Sequence, residues 1–368
     1  MVALDIGGTG IRAIQFTRGK NSSRVKKDGF ISLPDGAVVN GEVRDGDAVT
    51  EALKALWKDR KFSTKRVLFA VANNNVIVRI KTLDWDFDDD FRSGLRYQES
   101  VVDELPFDDD KVLLDYHQLD EVTETLPNGD LRKQKVILLV AAESRMVDGF
   151  VSAIRGAGLS PEGIDSASFA MIRAARSQQA DSVPAETVMD PEVDEALNTY
   201  LSDVTPTDDE LVEVVIDLGV DVTNVIIHQG GQPRFVRIVT GQGGRRLTRA
   251  LMTRFGWDEN EAETVKREVG LTSDLVTGVA NPAQETIAHV MSEFIAEIRT
   301  AIDYYLTYSP NVQGVSRVVL SGAGTRMKGL AERVSSELRV PVESVSLTGM
   351  FDDSQPDYTV AYGLTIGA

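Results

Sequence analysis

Two short segments each place an aspartate beside a glycine turn, an arrangement that suits a polyphosphate and its metal ion. In the first, Asp5 ends an apolar run before the turn at 7–10; in the second, Asp217 precedes Gly219, 212 residues further along. Glycine has no Cβ, so backbone N–H groups can approach phosphate oxygens closely. Carboxylates at strand ends can hold hydrated Mg²⁺ through water. The pair predicts two hairpins that face one cleft and clamp one polyphosphate.

Two further segments suit the nucleoside part of such a ligand. A loop of small residues at 321–324 follows an apolar run and leaves room for a flat base against the backbone. Glu263 and Lys266 lie three residues apart in a helical pattern, so they share a face from which they could reach the ribose and the base. Plainer interpretations exist for each feature: an ordinary turn for either hairpin, a packing turn for the loop, and a surface ion pair.

These segments define the predicted site. Its predicted ligand is a nucleotide with Mg²⁺, with Asp5 and Asp217 as metal ligands through water. Hydrolysis needs a side chain that orients the attacking water. Asp217 and Asp221 are candidates and Glu263 is less suited, but the sequence identifies no residue clearly placed for this role, so nucleotide turnover is predicted to be slow or absent. The predicted nucleotide-binding residues are Asp5, Gly7, Gly8, Thr9, Gly10, Asp217, Gly219, Asp221, Thr223, Gly243, Gly244, Glu263, Lys266, Gly322, Ala323, Gly324 and Arg326.

Alternating strand and helix patterns surround these segments and predict an α/β protein. The predicted strands are 2–6, 11–16, 66–71, 76–80, 136–142, 214–218, 222–227, 234–239 and 318–320. The predicted helices are 48–57, 91–105, 146–157, 246–255, 258–266, 286–308 and 327–338. Residues 178–210 are acidic and poor in large apolar side chains, which predicts a surface insertion or linker; an acidic helix around 191–201 is an equal alternative.

Composition limits the classes of function. With 368 residues the chain is longer than one core usually serves, so two or more domains are expected. Its net charge of −18 argues against nucleic-acid binding and against direct contact with anionic lipid. Cysteine is absent and only three histidines occur, which excludes cysteine nucleophiles and disfavours a histidine-rich metal site. Neither a signal peptide nor an apolar run of about 20 residues is present, so a cytoplasmic protein is expected.

The two hairpins, the small-residue loop and their connecting segments resemble the actin-like ATPase superfamily and, within it, the PilM family of type IV pilus assembly proteins. The resemblance covers nearly the whole chain apart from the acidic insertion. Further segments that match the PilM pattern are 94–99, 105–108, 114–116, 136–142, 146–150, 156–161, 164–170, 240–244 and 247–248.

This resemblance implies an actin-like ATPase fold of two duplicated ribonuclease H-like domains with an inserted 1C subdomain of the FtsA/PilM type. The implied divisions are domain 1 (1A) at 1–75 and 163–212, which includes the acidic insertion at 178–210, subdomain 1C at 76–162, and domain 2 at 213–368 with its 2B part at 246–312.

The resemblance also implies a cytoplasmic ATP-binding scaffold that binds the N-terminal cytoplasmic peptide of a PilN-like inner-membrane protein, in a groove between 1A and 1C. Residues 76–83, 91–105 and 136–140 are the stretches expected to line it, although their apolar side chains are explained equally by a subdomain core. Contact with the membrane would come only through partners. Other pilus assembly proteins and self-association are further candidate interactions.

Three other interpretations stay open. The spacing of Gly8, Gly10 and Ala13, with Asp28 downstream, also fits a dinucleotide fingerprint, which however requires a helix where 11–16 favours a strand. The opening also resembles a sugar kinase of the same superfamily, although the chain has neither an Asn-Asp dipeptide nor cysteines for a zinc loop. An FtsA-like division protein is nearer, but the basic amphipathic helix that ends such proteins is not recognisable here.

Overall fold

The computed structural model describes residues 1–19, 23–84, 105, 111–126, 129–182, 211–271, 281–347 and 355–367. Its strands are β1 (Val2–Gly7), β2 (Gly10–Arg18), β3 (Ser23–Ser32), β4 (Val38–Val39), β5 (Glu42–Val43), β6 (Arg66–Val71), β7 (Val76–Asp84), β8 (Val112–Thr125), β9 (Leu131–Glu143), β10 (Ser160–Ser166), β11 (Leu211–Leu218), β12 (Val222–Gln229), β13 (Gln232–Thr240), β14 (Gly314–Ser321) and β15 (Val342–Ser344). Its α-helices are α1 (Gly46–Arg60), α2 (Ser144–Gly156), α3 (Ala167–Ser182), α4 (Gly244–Phe255), α5 (Glu259–Val269), α6 (Pro282–Thr307), α7 (Leu330–Leu338) and α8 (Thr359–Gly367).

Two five-stranded sheets repeat one topology. The first has the order β10-β6-β1-β2-β3, and the second, taken from its other edge, has the order β15-β14-β11-β12-β13. In both, a central strand forms an antiparallel hairpin with the next strand and pairs in parallel on its other side. The expected duplication of an α/β domain is confirmed. We call the halves built on these sheets the first and second lobes.

Each lobe buries one sheet face under its own helices. In the first lobe α1 and α2 supply Leu53 and Phe150 to a core that includes Phe69 of β6. In the second lobe α4, α6 and α7 cover the sheet, and Ile287 and Leu330 are among the buried side chains. The apolar residues of these helices recur at three- and four-residue intervals, which puts them on the face that meets the sheet.

A third core joins the lobes. It contains Ile14 from the first sheet and Val215 from the second, with Met171 of α3 and Leu364 of α8 between them. The last helix of the chain therefore packs mainly against α3 and the first sheet, although the sequence assigned it to domain 2. It is apolar and buried rather than basic and amphipathic. The shared layer lies between the inner faces of the two sheets.

A separate three-stranded antiparallel sheet has the order β7-β9-β8 and interrupts the first lobe between β6 and α2. Its small core consists of Leu83, Ile137 and Leu139, with Leu114 and Tyr116 packed against them. Helix α2 and residues 160–162 of strand β10, which the predicted subdomain 1C included, pack in the first lobe instead. The domain divisions, including subdomain 1C, stay predictions.

Several predicted elements differ from the structure. The helix predicted at 327–338 begins only at Leu330, because Gly329 has a φ of 78° that breaks the helical path. Strands β3 and β8 were not predicted, since their alternating charged residues resemble surface loops. Helix α3 continues to Ser182, so the segment expected to begin at 178 is helical at its start. The rest of that segment and nearly all of the helix predicted at 91–105 lie outside the described residues.

Candidate functional site

The two predicted hairpins face each other across one cleft of about 750 Å³ between the lobes. Fourteen of the predicted nucleotide-binding residues line it, whereas Gly10, Thr223 and Gly243 do not. The lining members are Asp5, Gly7, Gly8, Thr9, Asp217, Gly219, Asp221, Gly244, Glu263, Lys266, Gly322, Ala323, Gly324 and Arg326. Residues more than 300 positions apart in the chain therefore form one site.

The central carboxylates occupy equivalent strand positions at the bottom of the cleft. Asp5 of β1 pairs with Arg12 of β2, and Asp217 of β11 pairs with Asn224 of β12. Burial raises the pKa of Asp5 to about 6, while the charge of Arg12 opposes the shift. Burial also raises the pKa of Asp217, against hydrogen bonds from Asn224 and Ser321, each 3.2 Å long. Two partly buried carboxyls with raised pKa values suit a site that receives a cation.

The tips of the hairpins meet at Gly8. A Cβ at this position would lie 2.7 Å from Asp221 Oδ2 and 2.8 Å from Val220 Cγ1. Any larger residue at this position would therefore have to displace the Asp221 and Val220 side chains. Asp221 is 8% exposed, and its Oδ2 atom has no hydrogen-bond partner among the described residues. A buried carboxylate oxygen without a partner is costly, so this atom is available for a ligand or a water.

The small-residue loop lies against the second hairpin. Gly322 has a φ of 84°, and a Cβ there would lie 2.6 Å from Asp217 Oδ1. A Cβ on Gly324 would lie 2.4 Å from the Leu218 side chain. Both glycines are needed to bring the loop this close. Behind the hairpin, the Gly244 N–H donates to the Gly219 carbonyl at 2.9 Å, which ties the start of α4 to the hairpin tip.

Glu263 and Lys266 form a partly buried network and not a surface ion pair. The Lys266 ammonium donates to the Glu263 carboxylate, to Thr248 Oγ1 at 2.9 Å and to the Gly244 carbonyl at 3.2 Å. Burial acts to raise the pKa of Glu263, but hydrogen bonds from Lys266 and Thr248 lower it below its usual value. Burial lowers the pKa of Lys266, against the effect of Glu263. The charged pair is thus held against the wall of the cleft.

Sequence reasoning missed a second charged group at the back of the cleft. Asp357 accepts hydrogen bonds from Arg12 Nε at 3.1 Å and from Arg326 Nη2 at 2.6 Å. Although burial acts to raise the pKa of Asp357, the two guanidinium groups hold it below its usual value. Arg12 belongs to the first hairpin and Arg326 follows the small-residue loop, so Asp357 joins the lobes. No local pattern marks this residue, because its partners come from distant segments.

Sequence reasoning also missed Arg245 and Asp35, which form a charged group with Asp221. Arg245, at the start of α4, donates from Nε to Asp221 Oδ1 at 2.7 Å. Its Nη1 atom also binds the carboxylate of Asp35 from the first lobe. A signal for Arg245 exists in the sequence: a basic residue in the first turn of a helix opposes the helix dipole and therefore indicates an anionic partner.

The cleft fits a nucleotide with a metal ion. Its lining has two glycine cradles that a Cβ would fill, two partly buried carboxyls with raised pKa values and one carboxylate oxygen without a partner among the described residues. Among the described residues no group of three or more His, Cys, Asp or Glu side chains could hold a metal directly. The two aspartates therefore suit a hydrated Mg²⁺, which keeps several waters.

Comparison with known proteins places this architecture in a family. The model of the type IV pilus assembly protein PilM matches residues 3–359. The chain belongs to the PilM family of type IV pilus assembly proteins. This membership favours the pilus assembly interpretation over an FtsA-like division protein and a sugar kinase. The dinucleotide fingerprint is wrong, because the residues after Gly10 form strand β2 instead of a helix.

Solved structures agree on the fold. The PilM-PilN type IV pilus biogenesis complex is similar, with a TM-score of 0.76 and 22% identity over 99% of this chain and 97% of the other. MreB5 of Spiroplasma citri bound to AMPPNP has a TM-score of 0.52 and 12% identity, over 99% and 94% of the two chains. The ethanolamine utilization protein EutJ from Carboxydothermus hydrogenoformans has a TM-score of 0.51 and 13% identity, over 100% and 89%. This PilM-family chain has the actin-like ATPase fold.

In the part of this PilM-family chain that the structure describes, no helix has both the length and the apolar character needed to cross a membrane.

Proposed function

We propose that this PilM-family chain is a scaffold that binds ATP with Mg²⁺ between its lobes and binds the N-terminal cytoplasmic peptide of a PilN-like inner-membrane protein. The observation that carries the nucleotide half is the meeting of two equivalent Asp-glycine hairpins at one cleft. The family and the likeness to a PilM-PilN complex support the peptide half. The protein would be cytoplasmic and reach the membrane only through such partners.

Asp5 and Asp217 would hold the hydrated metal, and the backbone of the hairpin turns would bind the phosphates. Bound Mg²⁺ would neutralise phosphate charge in a site that is itself rich in carboxylates. The loop at 322–324 would receive the base, and the Glu263–Lys266 pair would reach the ribose. Support for these roles comes from the position of each residue on the cleft wall.

Hydrolysis is proposed to be slow or absent. Asp217 is engaged by Asn224 and Ser321, and one oxygen of Asp221 is engaged by Arg245. The candidate for orienting a water is therefore the second oxygen of Asp221, which has no partner in the described part of the chain. A closed cleft that turns over slowly would act as a switch for partner binding instead of a motor.

The peptide site is proposed on the face of the small sheet that continues the first-lobe core. Val76 and Ala142, which pair directly, belong to that core. The next pair on the same face is Val78 and Val140, followed by Ile80. Val78, Val140 and Ile80 are only half-buried, whereas Leu138, which pairs with Ile80 on the same face, is 5% exposed. An extended peptide could add its apolar side chains to this row.

Calorimetric titration of the purified protein with ATP·Mg²⁺ tests the nucleotide half. Wild type is expected to bind and Asp217→Ala to lose binding. Asp59→Ala is the matched control, because Asp59 is an exposed aspartate on α1 outside the cleft. Equal affinities for wild type and Asp217→Ala would reject the proposed nucleotide site.

The peptide half is tested by titrating the N-terminal peptide of a PilN-like protein into wild type, Ile80→Glu and Val122→Glu. Val122 is an apolar residue on the other edge of the same sheet, 41% exposed, so it receives the same substitution away from the proposed row. Loss of binding only with Ile80→Glu is expected. Loss only with Val122→Glu would place the peptide on the β8 edge instead.

A further inference from the structure

Arg245 joins the two lobes directly in front of the cleft. Its guanidinium binds Asp221 of the second lobe through Nε and Asp35 of the first lobe through Nη1. A third carboxylate, Glu259 of α5, lies 3.7 Å from Nη1. The Arg245 backbone N–H donates to the Val220 carbonyl at 2.9 Å, so the residue is anchored to the tip of the second hairpin.

The two main partners of Arg245 differ strongly in exposure. The Asp221 side chain is 9% exposed and the Asp35 side chain is 66% exposed, while that of Arg245 is 14% exposed. An ion pair with a solvated carboxylate contributes little, because water competes for both charges. Removal of one partner from a buried pair is costly, because it leaves an uncompensated charge. The Asp221 bond is therefore the permanent one, and Asp35 is exchangeable.

A phosphate group is a stronger competitor for Arg245 than Asp35 is. It carries more negative charge than a carboxylate and presents several oxygens to the planar guanidinium fork. Arg245 and Asp221 both line the cleft next to the hairpin tip where phosphates are proposed to bind. A nucleotide with a long phosphate chain would reach the Arg245 guanidinium. A monophosphate would not reach it, so Arg245 would keep its bond to Asp35.

We infer that Arg245 recognises the terminal phosphates of the bound nucleotide by keeping its bond to Asp221 and exchanging Asp35 for phosphate oxygens. This inference rests on the proposed nucleotide function of the cleft. Arg245 is then the residue through which the site prefers ATP to AMP. The exchange also removes an ionic contact between the lobes, so the length of the phosphate chain changes how the first-lobe loop around Asp35 is held.

The test compares ATP and AMP affinities by calorimetry, with Mg²⁺, in wild type, Asp35→Asn, Arg245→Gln and the control Asp59→Asn. Asp35→Asn removes an exposed competitor, so ATP affinity is expected to rise about two- to fivefold with AMP affinity unchanged. Arg245→Gln is expected to lower ATP affinity at least about tenfold and AMP affinity far less. Asp59→Asn makes the same charge change on an exposed helix face and is expected to match wild type.

Weaker ATP binding in Asp35→Asn would overturn the exchange, because it would mean that the Asp35 contact holds the cleft shut around the ligand. Equal losses of ATP and AMP affinity in Arg245→Gln would also overturn it. If Arg245→Gln does not fold, Asp35→Asn decides alone, since its side chain is exposed. No ATP binding by wild type would reject the nucleotide function itself, a result distinct from either of these.

Discussion

The two hairpins have the same backbone arrangement but carry different side chains at their tips. Asp5 and Asp217 occupy the same strand position, but Asp5 faces the guanidinium of Arg12 where Asp217 faces the amide of Asn224. At the tips, Gly8 corresponds to Val220 and Thr9 to Asp221. The first tip has no side chain at Gly8, so Val220 and Asp221 of the second tip lie close to it. The second tip carries the Asp221 carboxylate, which is bound to Arg245.

The comparison indicates that the two hairpins took on different roles in the site after duplication. The first hairpin supplies close backbone approach, and the second supplies charge that is oriented by neighbouring side chains. Asp217 is oriented by hydrogen bonds from Asn224 and Ser321. The pKa of Asp5 is set mainly by burial, which raises it, and by the charge of Arg12, which lowers it. A shared fold therefore preserves the positions of the two carboxylates while their surroundings diverge.

The largest expected effect comes from making the first tip like the second. Gly8→Val places a side chain where Asp221 Oδ2 and Val220 Cγ1 already lie within 2.8 Å of a Cβ. We expect the free energy of unfolding to fall by about 1–3 kcal/mol from overpacking, measured by chemical denaturation. Gly46→Ala is the control, because nothing lies within 4 Å of its Cβ position. Wild-type stability for Gly8→Val would show that the tips do not meet.

The next largest effect distinguishes the contributions of Asp5 and Asp217 to ATP·Mg²⁺ binding. Asp217→Asn and Asp5→Asn are each expected to lower Mg²⁺-dependent ATP affinity by about 10- to 100-fold, as substitutions of residues that orient metal-bound water do. The loss at Asp217 should be the larger, because its carboxylate is oriented by two hydrogen bonds. Calorimetry with and without Mg²⁺ measures both. A variant that loses affinity equally without Mg²⁺ would contradict the metal role of that aspartate.

The smallest effect concerns pH. Because the pKa of Asp5 is about 6, its carboxyl is protonated below that value and cannot serve a cation. Affinity for ATP·Mg²⁺ is expected to fall by about tenfold per pH unit below 6, and Asp5→Asn should remove this part of the dependence. In the ligand-free protein Asp5 should contribute the opposite trend, since a carboxyl of the unfolded chain ionises near pH 4. The contribution of Asp5 to stability, measured as the difference between wild type and Asp5→Asn, should decrease as pH rises from about 4 to about 6. An affinity for ATP·Mg²⁺ that does not change below pH 6 would contradict the raised pKa of Asp5.

Much of the fold could be predicted because its signals are local. Apolar β-branched runs predicted most strands of both large sheets, and the repeated Asp-glycine pattern predicted their duplication. Strand β3 was missed, because Lys26, Lys27 and Asp28 follow one another and interrupt the alternation of polar and apolar residues. Helix α8 is apolar on all sides and short, so the sequence alone did not show that it returns to the first lobe.

The candidate site, like the fold, has features that the sequence predicts and features that only the tertiary structure shows. Sequence alone determined which residues could bind a nucleotide and a metal, because glycines that permit close approach and aspartates at strand ends are chemical requirements readable in order along the chain. Only the tertiary structure decided that Arg12, Arg326 and Asp357 form one charged group, and that Arg245 joins Asp221 to Asp35. These contacts connect residues up to 345 positions apart. Their geometry depends on how the shared core sets the two lobes, and no local spacing encodes that arrangement.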